Sequence, residues 1–416
     1  MSEGYIVLSA HHCAPFEGSE HAVGWNAINE ISKNNKVIVI TENNLYREAI
    51  SKEIAKLNSS GRCIKVYFVD HGSVSDGRKN NLRMGYYLTY ILYQIRVYFL
   101  VKKISANFNI SLIHHITIVG FREPGFLWIL PYPFIWGPVG GLVYTPKKLF
   151  SELSTKMKIF QFIRNSITNL QFSLSLRVRK AYKKTKDNGA FIAAEPSIGK
   201  KFSRKFGGDF LWIPETGCSI GQELPEAKEK FNSNKLKLLW VGALIDIKPM
   251  RLILDGIANS NYKDSIELLV IGDGDSKSSF ESYARKLEIN VNFIGWVEHE
   301  KVRDYYVDSD LFCLFSMKDL TTNVVFEALS SKTPVICLDH HGYSYIIDDS
   351  CGIKIGINKR DTIVSDISIA MNEIFEGKID LRVLSVGAFE RASNFTWEKN
   401  MSRFSTIYSE VLNENT

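Results

Sequence analysis

Two carboxylates, Asp319 and Glu327, stand with seven residues between them in the stretch LFCLFSMKDLTTNVVFEALSSKTPVICL, residues 311–338. An apolar run over 311–315 has the length and composition of a strand. A polar loop with Ser316, Lys318, Asp319, Thr321 and Thr322 follows. Residues 323–331 have helical spacing, with Val324, Ala328 and Leu329 able to share a face. A second strand is expected over 334–338. The loop carries Asp319 and the first helical turns carry Glu327, so both can face one crevice. Between them, the amides of Thr322, Asn323 and Val324 fall at the helix N-terminus, where unpaired N–H groups and the helix dipole favour a phosphate. Carboxylates accept hydrogen bonds from sugar hydroxyls. Two hydroxyl acceptors flanking an anion cradle suit a nucleotide sugar. The same spacing also fits a solvated acidic loop and a helix with one surface glutamate, since α/β loops are often polar.

A second candidate lies upstream. The strand expected over 235–241 ends at Gly242, and Lys248-Pro249 opens a helix, with proline at a tolerated first-turn position. A lysine there can neutralise a diphosphate leaving group. The later GDGD lacks the third glycine of a dinucleotide fingerprint, so no nicotinamide site is read from it.

The 311–338 stretch resembles the E-x7-E signature of the retaining GT-B glycosyltransferases of family 4, with Asp319 in place of the first Glu. EALSSKTPVICLD is similar to that family's EAMAxGxPVIA, with Lys332 where glycine is usual. LLWVGALIDIK resembles its VGRLxxxKG, with Ala243 where an arginine is usual. LLVIGDGD, VNFIGWV and CGIKI follow in the family's order, so the likeness covers most of residues 235–356. It is weaker in CAPFEGSEHAVGW and PFIWGPVGG.

The resemblance implies a GT-B fold: two Rossmann-like α/β domains facing a cleft, with the C-terminal helix crossing back to the first. It implies transfer of a sugar, with retention, from a UDP- or GDP-linked donor to a glycan acceptor, including a lipid-linked one, in bacterial cell-surface polysaccharide synthesis. Glu327 would bind the ribose, Asp319 the transferred sugar, and Lys248 beside Gly242 the diphosphate. Trp296 would fall in the segment lining the nucleobase pocket, and the loop at Gly18 and Ser19 would approach diphosphate and acceptor. No metal or other cofactor is expected, because lysine and helix dipole can take that role. Ala243 removes one cation from the phosphate grip; Arg251 and Lys318 are candidates to compensate. A nucleotide-sugar epimerase of the same fold and a non-catalytic glycan-binding relative are the rival readings.

These residues need a scaffold, and strand–helix alternation supplies it. Strands are expected over 5–10, 36–41, 63–69, 111–115, 133–136, 189–194 and 210–213, with helices from Ser19 and over 45–57. The alternation implies right-handed βαβ units and a parallel sheet, with ligands beyond the carboxyl ends of the strands. His114 and His115 end one strand. Neighbours point to opposite faces, so only one can face the crevice, and by the family's pattern His115 is favoured. Adjacent strand histidines make a poor metal pair, and no Cys/His spacing resembles zinc. Long basic aromatic helices are expected over 82–108 and 156–186. They suit an anionic membrane surface as well as an ordinary solvated face. Domains are expected over 1–214 and 215–392, with a returning helix over 393–416.

Composition bounds the rest. The chain has 416 residues and a net charge of +6, from 51 basic and 45 acidic residues. That excess accommodates anionic substrates and is too small to argue for nucleic acid. Six scattered cysteines without a CxxC pair read as reduced core thiols of a cytoplasmic protein. The N-terminus reads as a strand rather than a signal peptide. No membrane-spanning helix is expected. The expected location is the cytoplasm, including the inner face of the membrane.

Overall fold

The computed structural model describes residues 4–17, 19–71, 83–220, 234–320 and 323–413. The chain divides into two compact units. The first comprises Met1–Leu142, Leu170–Thr216 and Trp397–Thr416. Its elements begin with β1 (Tyr5–Ser9), α1 (Ser19–Ile31), β2 (Lys36–Glu42), α2 (Arg47–Ser59), β3 (Ile64–Val69), α3 (Arg83–Ile104), β4 (Ile110–His115) and β5 (Phe134–Val139). After α4 (Thr155–Leu174), which starts in the second unit, come α5 (Leu176–Asp187), β6 (Gly189–Ala193), α6 (Pro196–Phe206) and β7 (Leu211–Trp212). The seven strands pair in parallel in the order β3-β2-β1-β4-β5-β6-β7. Helices on both faces explain the near-continuous apolar strands: in KVIVITE only Lys36 is exposed.

The second unit comprises Val143–Asn169 and Gly217–Thr396. It contains β8 (Leu236–Val241), α7 (Met250–Ala258), β9 (Ile266–Ile271), α8 (Lys277–Leu287), β10 (Asn290–Gly295), α9 (His299–Asp308) and β11 (Leu311–Leu314). Then follow α10 (Asn323–Ser330), β12 (Val335–Asp339), α11 (Tyr343–Ile346), β13 (Gly352–Gly356), α12 (Arg360–Phe375) and α13 (Leu381–Ser393). Its six parallel strands run β10-β9-β8-β11-β12-β13.

Two expectations need correction. Residues 143–169 pack with the second unit, not the first. Leu149 and Leu153 are buried in its core, Glu152 meets Arg360 at 3.2 Å, and the Ser154 hydroxyl donates to Asp246 at 3.0 Å. The single helix expected over 156–186 is two. It breaks at Ser175, whose backbone leaves helical geometry and whose side chain accepts from the Val178 amide, capping α5.

The last helix, α14 (Trp397–Asn413), belongs to the first unit. Met401, Phe404, Ile407, Tyr408 and Val411 form its buried stripe, against α1, β4 and β6. His114 fastens it. Its Nε2–H donates to Gly137 O at 2.8 Å, and its Nδ1 meets the Tyr408 hydroxyl at 2.6 Å. Burial pushes the His114 imidazole down to about 3, so it stays neutral. Since the folded value lies below the ordinary 6.5, the unfolded chain takes up the proton first. His114 therefore contributes its full stability above about pH 6.5 and loses it as pH falls toward 3. We expect His114→Gln to flatten the dependence of unfolding free energy between about pH 6 and 4.5, by about 1.4 kcal/mol per pH unit. Equal slopes in urea melts of the two proteins would contradict this.

Behind α10, Lys332 has a φ of +58°, the left-handed geometry that usually selects glycine after a helix. Its carbonyl is held by the Ser385 hydroxyl at 2.7 Å, and Thr333 N–H returns to Ala328 O at 2.9 Å. A side chain in this region costs on the order of 1 kcal/mol. Lys332→Gly should therefore exceed Lys332→Ala in stability by about 1 kcal/mol, reversing the usual order of these residues. Chemical denaturation of both variants checks the sign.

Candidate functional site

In the second unit, the sheet reverses direction between β8 and β11. Loops leaving the carboxyl ends at such a switch diverge and open a crevice. The β8 loop carries Lys248 and the β11 loop carries Asp319, and Lys248 Nζ stands 3.6 Å from Asp319 Oδ2. Asp319 Oδ2 is buried and accepts no hydrogen bond from the described residues. A buried acceptor without a donor is costly, so this oxygen is suited to a ligand hydroxyl.

The lysine is aimed by the backbone around it. Gly242 has a φ of +144°, and a Cβ there would stand 2.9 Å from Lys248 Nζ. Its amide donates to Ile271 O, and the Gly272 amide to Gly295 O, so the ends of β8, β9 and β10 are joined. A Cβ on Gly272 would lie 2.1 Å from Gly242 O, which only glycine avoids. The glycines of GDGD thus serve packing against the β8 loop. Helix α7 starts at Met250, two residues after Lys248.

The aspartate loop is fixed by a residue the sequence analysis passed over. His340, beyond β12, donates from Nε2 to Ser316 O at 2.6 Å, and Ser316 Oγ accepts from the Asp319 amide at 3.3 Å. Burial lowers the His340 imidazole below its ordinary value, keeping it neutral. The available signal was a histidine pair at the carboxyl end of the strand beside β11.

Glu327 lies in α10, between two partners. His299 Nε2 is 3.2 Å from Oε1, and the Tyr306 hydroxyl donates to Oε2 at 3.4 Å. Burial, with Glu327 beside it, pushes the Tyr306 phenol well above its ordinary value, so it remains a donor. Asn323 opens α10 and Val324 follows, half-buried; Thr322 lies outside the described residues. The face of α10 turned to the core is Val325, Phe326, Ala328 and Leu329, rather than one including Val324. Trp296 follows β10 with 76% of its surface exposed, available to stack rather than lining a closed pocket.

Neither cation expected to replace the missing arginine faces this pair. Arg251 donates to Ser279 and lies over the Tyr283 ring, and Lys318 donates to Gln161 of α4 at 3.3 Å. Ala243 is exposed.

In the first unit the sheet reverses between β1 and β4. His115 ends β4 and is buried. Its Nε2–H donates to Glu123 O and its Nδ1 meets Ser9 Oγ, each at 3.1 Å. Burial lowers it to about 4. Both ring nitrogens are engaged, so it ties β1 to the Glu123 loop as a neutral group. Ser19 opens α1, and Gly18 lies outside the described residues. Sequence spacing held no metal pattern, yet the fold gathers His11, His12 and Glu42 at the ends of β1 and β2.

Comparison with known proteins places these loops in context. Over 173 residues the chain is 27% identical to TuaC of Bacillus subtilis strain 168, described as a teichuronic acid biosynthesis glycosyltransferase, covering 40% of this chain and 42% of TuaC. The chain thus spans less than half the length of that relative. Among solved structures, the lipopolysaccharide outer core galactosyltransferase WaaB in its apo form superposes with a TM-score of 0.64 at 15% identity, covering 98% of this chain and 99% of WaaB. HepE of Anabaena, solved in complex with UDP, gives 0.61 at 13% identity, covering 98% and 100%. Likeness at these identities carries the fold: two parallel-sheet α/β units, as in GT-B glycosyltransferases. Residues 222–376, the segment holding Lys248, Asp319 and Glu327, match the family described as glycosyl transferases group 1.

Proposed function

We propose that this protein transfers a sugar from a UDP- or GDP-linked donor to a glycan acceptor carried on a lipid, with retention, in bacterial cell-surface polysaccharide synthesis. The observation that carries the reading is Lys248 Nζ at 3.6 Å from an Asp319 oxygen that accepts no hydrogen bond from the described residues, at the switch point of the segment that matches group 1 glycosyl transferases. HepE, solved in complex with UDP, and WaaB, a lipopolysaccharide outer core galactosyltransferase, support the donor and acceptor classes. Retention rests on the motif resemblance.

In this reading the bond between the anomeric carbon and the diphosphate oxygen breaks while the acceptor oxygen bonds to the same face, and the departing phosphate oxygen takes the acceptor hydroxyl's proton. Lys248 stabilises the charge that builds on the diphosphate, without a metal there. Asp319 accepts from a hydroxyl of the transferred sugar, and the Asn323 and Val324 amides begin the helix facing the phosphates. Glu327, oriented by His299 and Tyr306, accepts from the ribose. His115 acts as a positioning group on the acceptor side, and the Ser19 end of α1 approaches the acceptor. Trp296 offers a stacking face to the base.

Lys248→Ala should weaken nucleoside diphosphate binding at least tenfold and leave the free nucleoside nearly unchanged. Asp319→Asn should depress turnover more than nucleotide affinity, while Asp319→Glu should re-rank a panel of donors. Diphosphate affinity intact in the lysine variant, with one donor ranking shared by all three proteins, would overturn the assignment.

Apolar stripes exposed among the described residues support a working place at the inner face of the membrane. On α3, Leu88, Leu92, Ile95 and Phe99 are exposed at helical spacing, opposite the buried Tyr90, Tyr93 and Val97. On α4, Phe160, Ile163, Ile167, Leu170 and Leu174 repeat the pattern. Exposed apolar rows of this kind mark interaction surfaces and fit an interfacial helix. Among the described residues no helix is long and apolar enough to cross a membrane. Binding to anionic vesicles should fall with salt and drop about tenfold or more in Ile163→Asp/Ile167→Asp. Equal binding by that variant, or none by the wild type at low salt, would leave α4 an ordinary surface helix.

A further inference from the structure

His11 is 1% exposed, and neither of its ring nitrogens has a hydrogen-bond partner among the described residues. A buried imidazole without partners forgoes the hydrogen bonds that water would give it. What surrounds it supplies a use. One ligand atom each from His11, His12 and Glu42 lies within 4.8 Å of the others. The backbone forces this meeting. The Thr41 hydroxyl and the Glu42 amide both donate to His11 O, at 3.1 and 3.2 Å, so the end of β2 is laced to the residue after β1. The His12 amide donates to Thr117 Oγ1 at 3.1 Å, fixing the next residue across β4.

The second layer is also in place. His12 Nδ1 lies 2.8 Å from Glu20 Oε2. A carboxylate on one imidazole nitrogen sets the tautomer, leaving Nε2 as the lone-pair donor, and raises its basicity. The Asn44 amide donates to Glu42 Oε2 at 3.3 Å, which leaves Oε1 for a ligand.

We propose that His11, His12 and Glu42 form a site for a divalent transition cation of the zinc class, with a fourth position for water. Two imidazoles and a carboxylate match the borderline softness of that ion. Tetrahedral bonds of about 2.0–2.1 Å need ligand atoms roughly 3.3–3.5 Å apart, so the three groups close by about an ångström on binding. The site stands on β1 and β2 of the first unit, on other strands than Lys248 and Asp319, and is independent of the proposed transfer chemistry.

The test uses the full chain, stripped with a chelator and titrated with Zn2+ against a chromophoric competitor, and with Co2+ followed by its visible spectrum. One ion per chain is expected, with a low-coordinate Co2+ spectrum. His12→Gln and Glu42→Gln should each weaken Zn2+ at least tenfold and abolish that spectrum. Glu20→Gln should weaken it less, because it only orients His12. His12 is partly exposed and tolerates substitution, so the outcome does not hinge on refilling the buried His11 position. Circular dichroism and metal-free melting identical to wild type certify each variant. Unchanged zinc affinity in both His12→Gln and Glu42→Gln, or no stoichiometric uptake by the wild type, would overturn the proposal.

Discussion

A lysine ammonium 3.6 Å from an aspartate oxygen is the contact around which the second unit's loops are arranged. Neither group is exposed enough for water to do all the screening, so each depends on the other's position. Every neighbouring loop serves that pair. Gly242 leaves the space that Lys248 Nζ fills, and Gly272 lets the β9 loop close on Gly242. His340 clamps the carbonyl of Ser316, and Ser316 in turn anchors Asp319. A polar site of this kind is held by packing and backbone hydrogen bonds more than by its own charges. That is why its supporting residues are glycines and a neutral histidine.

Both units use the same device. In each, polar groups gather on the loops after the first strand and after the strand where the order reverses: β1 and β4, then β8 and β11. What differs is the state of those groups. The second unit presents a partly exposed ion pair. The first presents imidazoles, with His115 engaged at both nitrogens and His11 at neither. The first arrangement suits charge that comes and goes with a ligand; neutral, desolvated nitrogens suit donation of lone pairs or fixed hydrogen bonds.

The strands were legible in the sequence because parallel strands buried on both faces read as short apolar runs. VIVI in β2 and ELLVI in β9 admit little else. The residues of the crevice were legible where a motif carried them, as with Lys248 and Asp319. His340 and the His11–His12–Glu42 group were not. Their roles arise from hydrogen bonds and strand neighbours far apart in the chain, which spacing does not encode. The segment 143–169 was misplaced for a related reason. Its allegiance depends on Leu149 and Leu153 entering a core built from residues about a hundred positions later.

The break at Ser175 shows how much a single local competition decides. Composition alone continues the helix from α4 into RVRKAYKKTK, since both sides carry good helix formers. Serine offers the backbone an alternative acceptor, and at this position it caps α5. The break separates two faces with different fates. Ahead of it, α4 keeps a stripe of large apolar side chains in solvent. Beyond it, several basic residues of α5 are already committed: Arg177 reaches Glu123 and Arg122 O, Lys183 meets Asp187, and Lys186 donates to Phe206 O. The capped pair therefore separates the exposed apolar stripe of α4 from the partly paired basic face of α5.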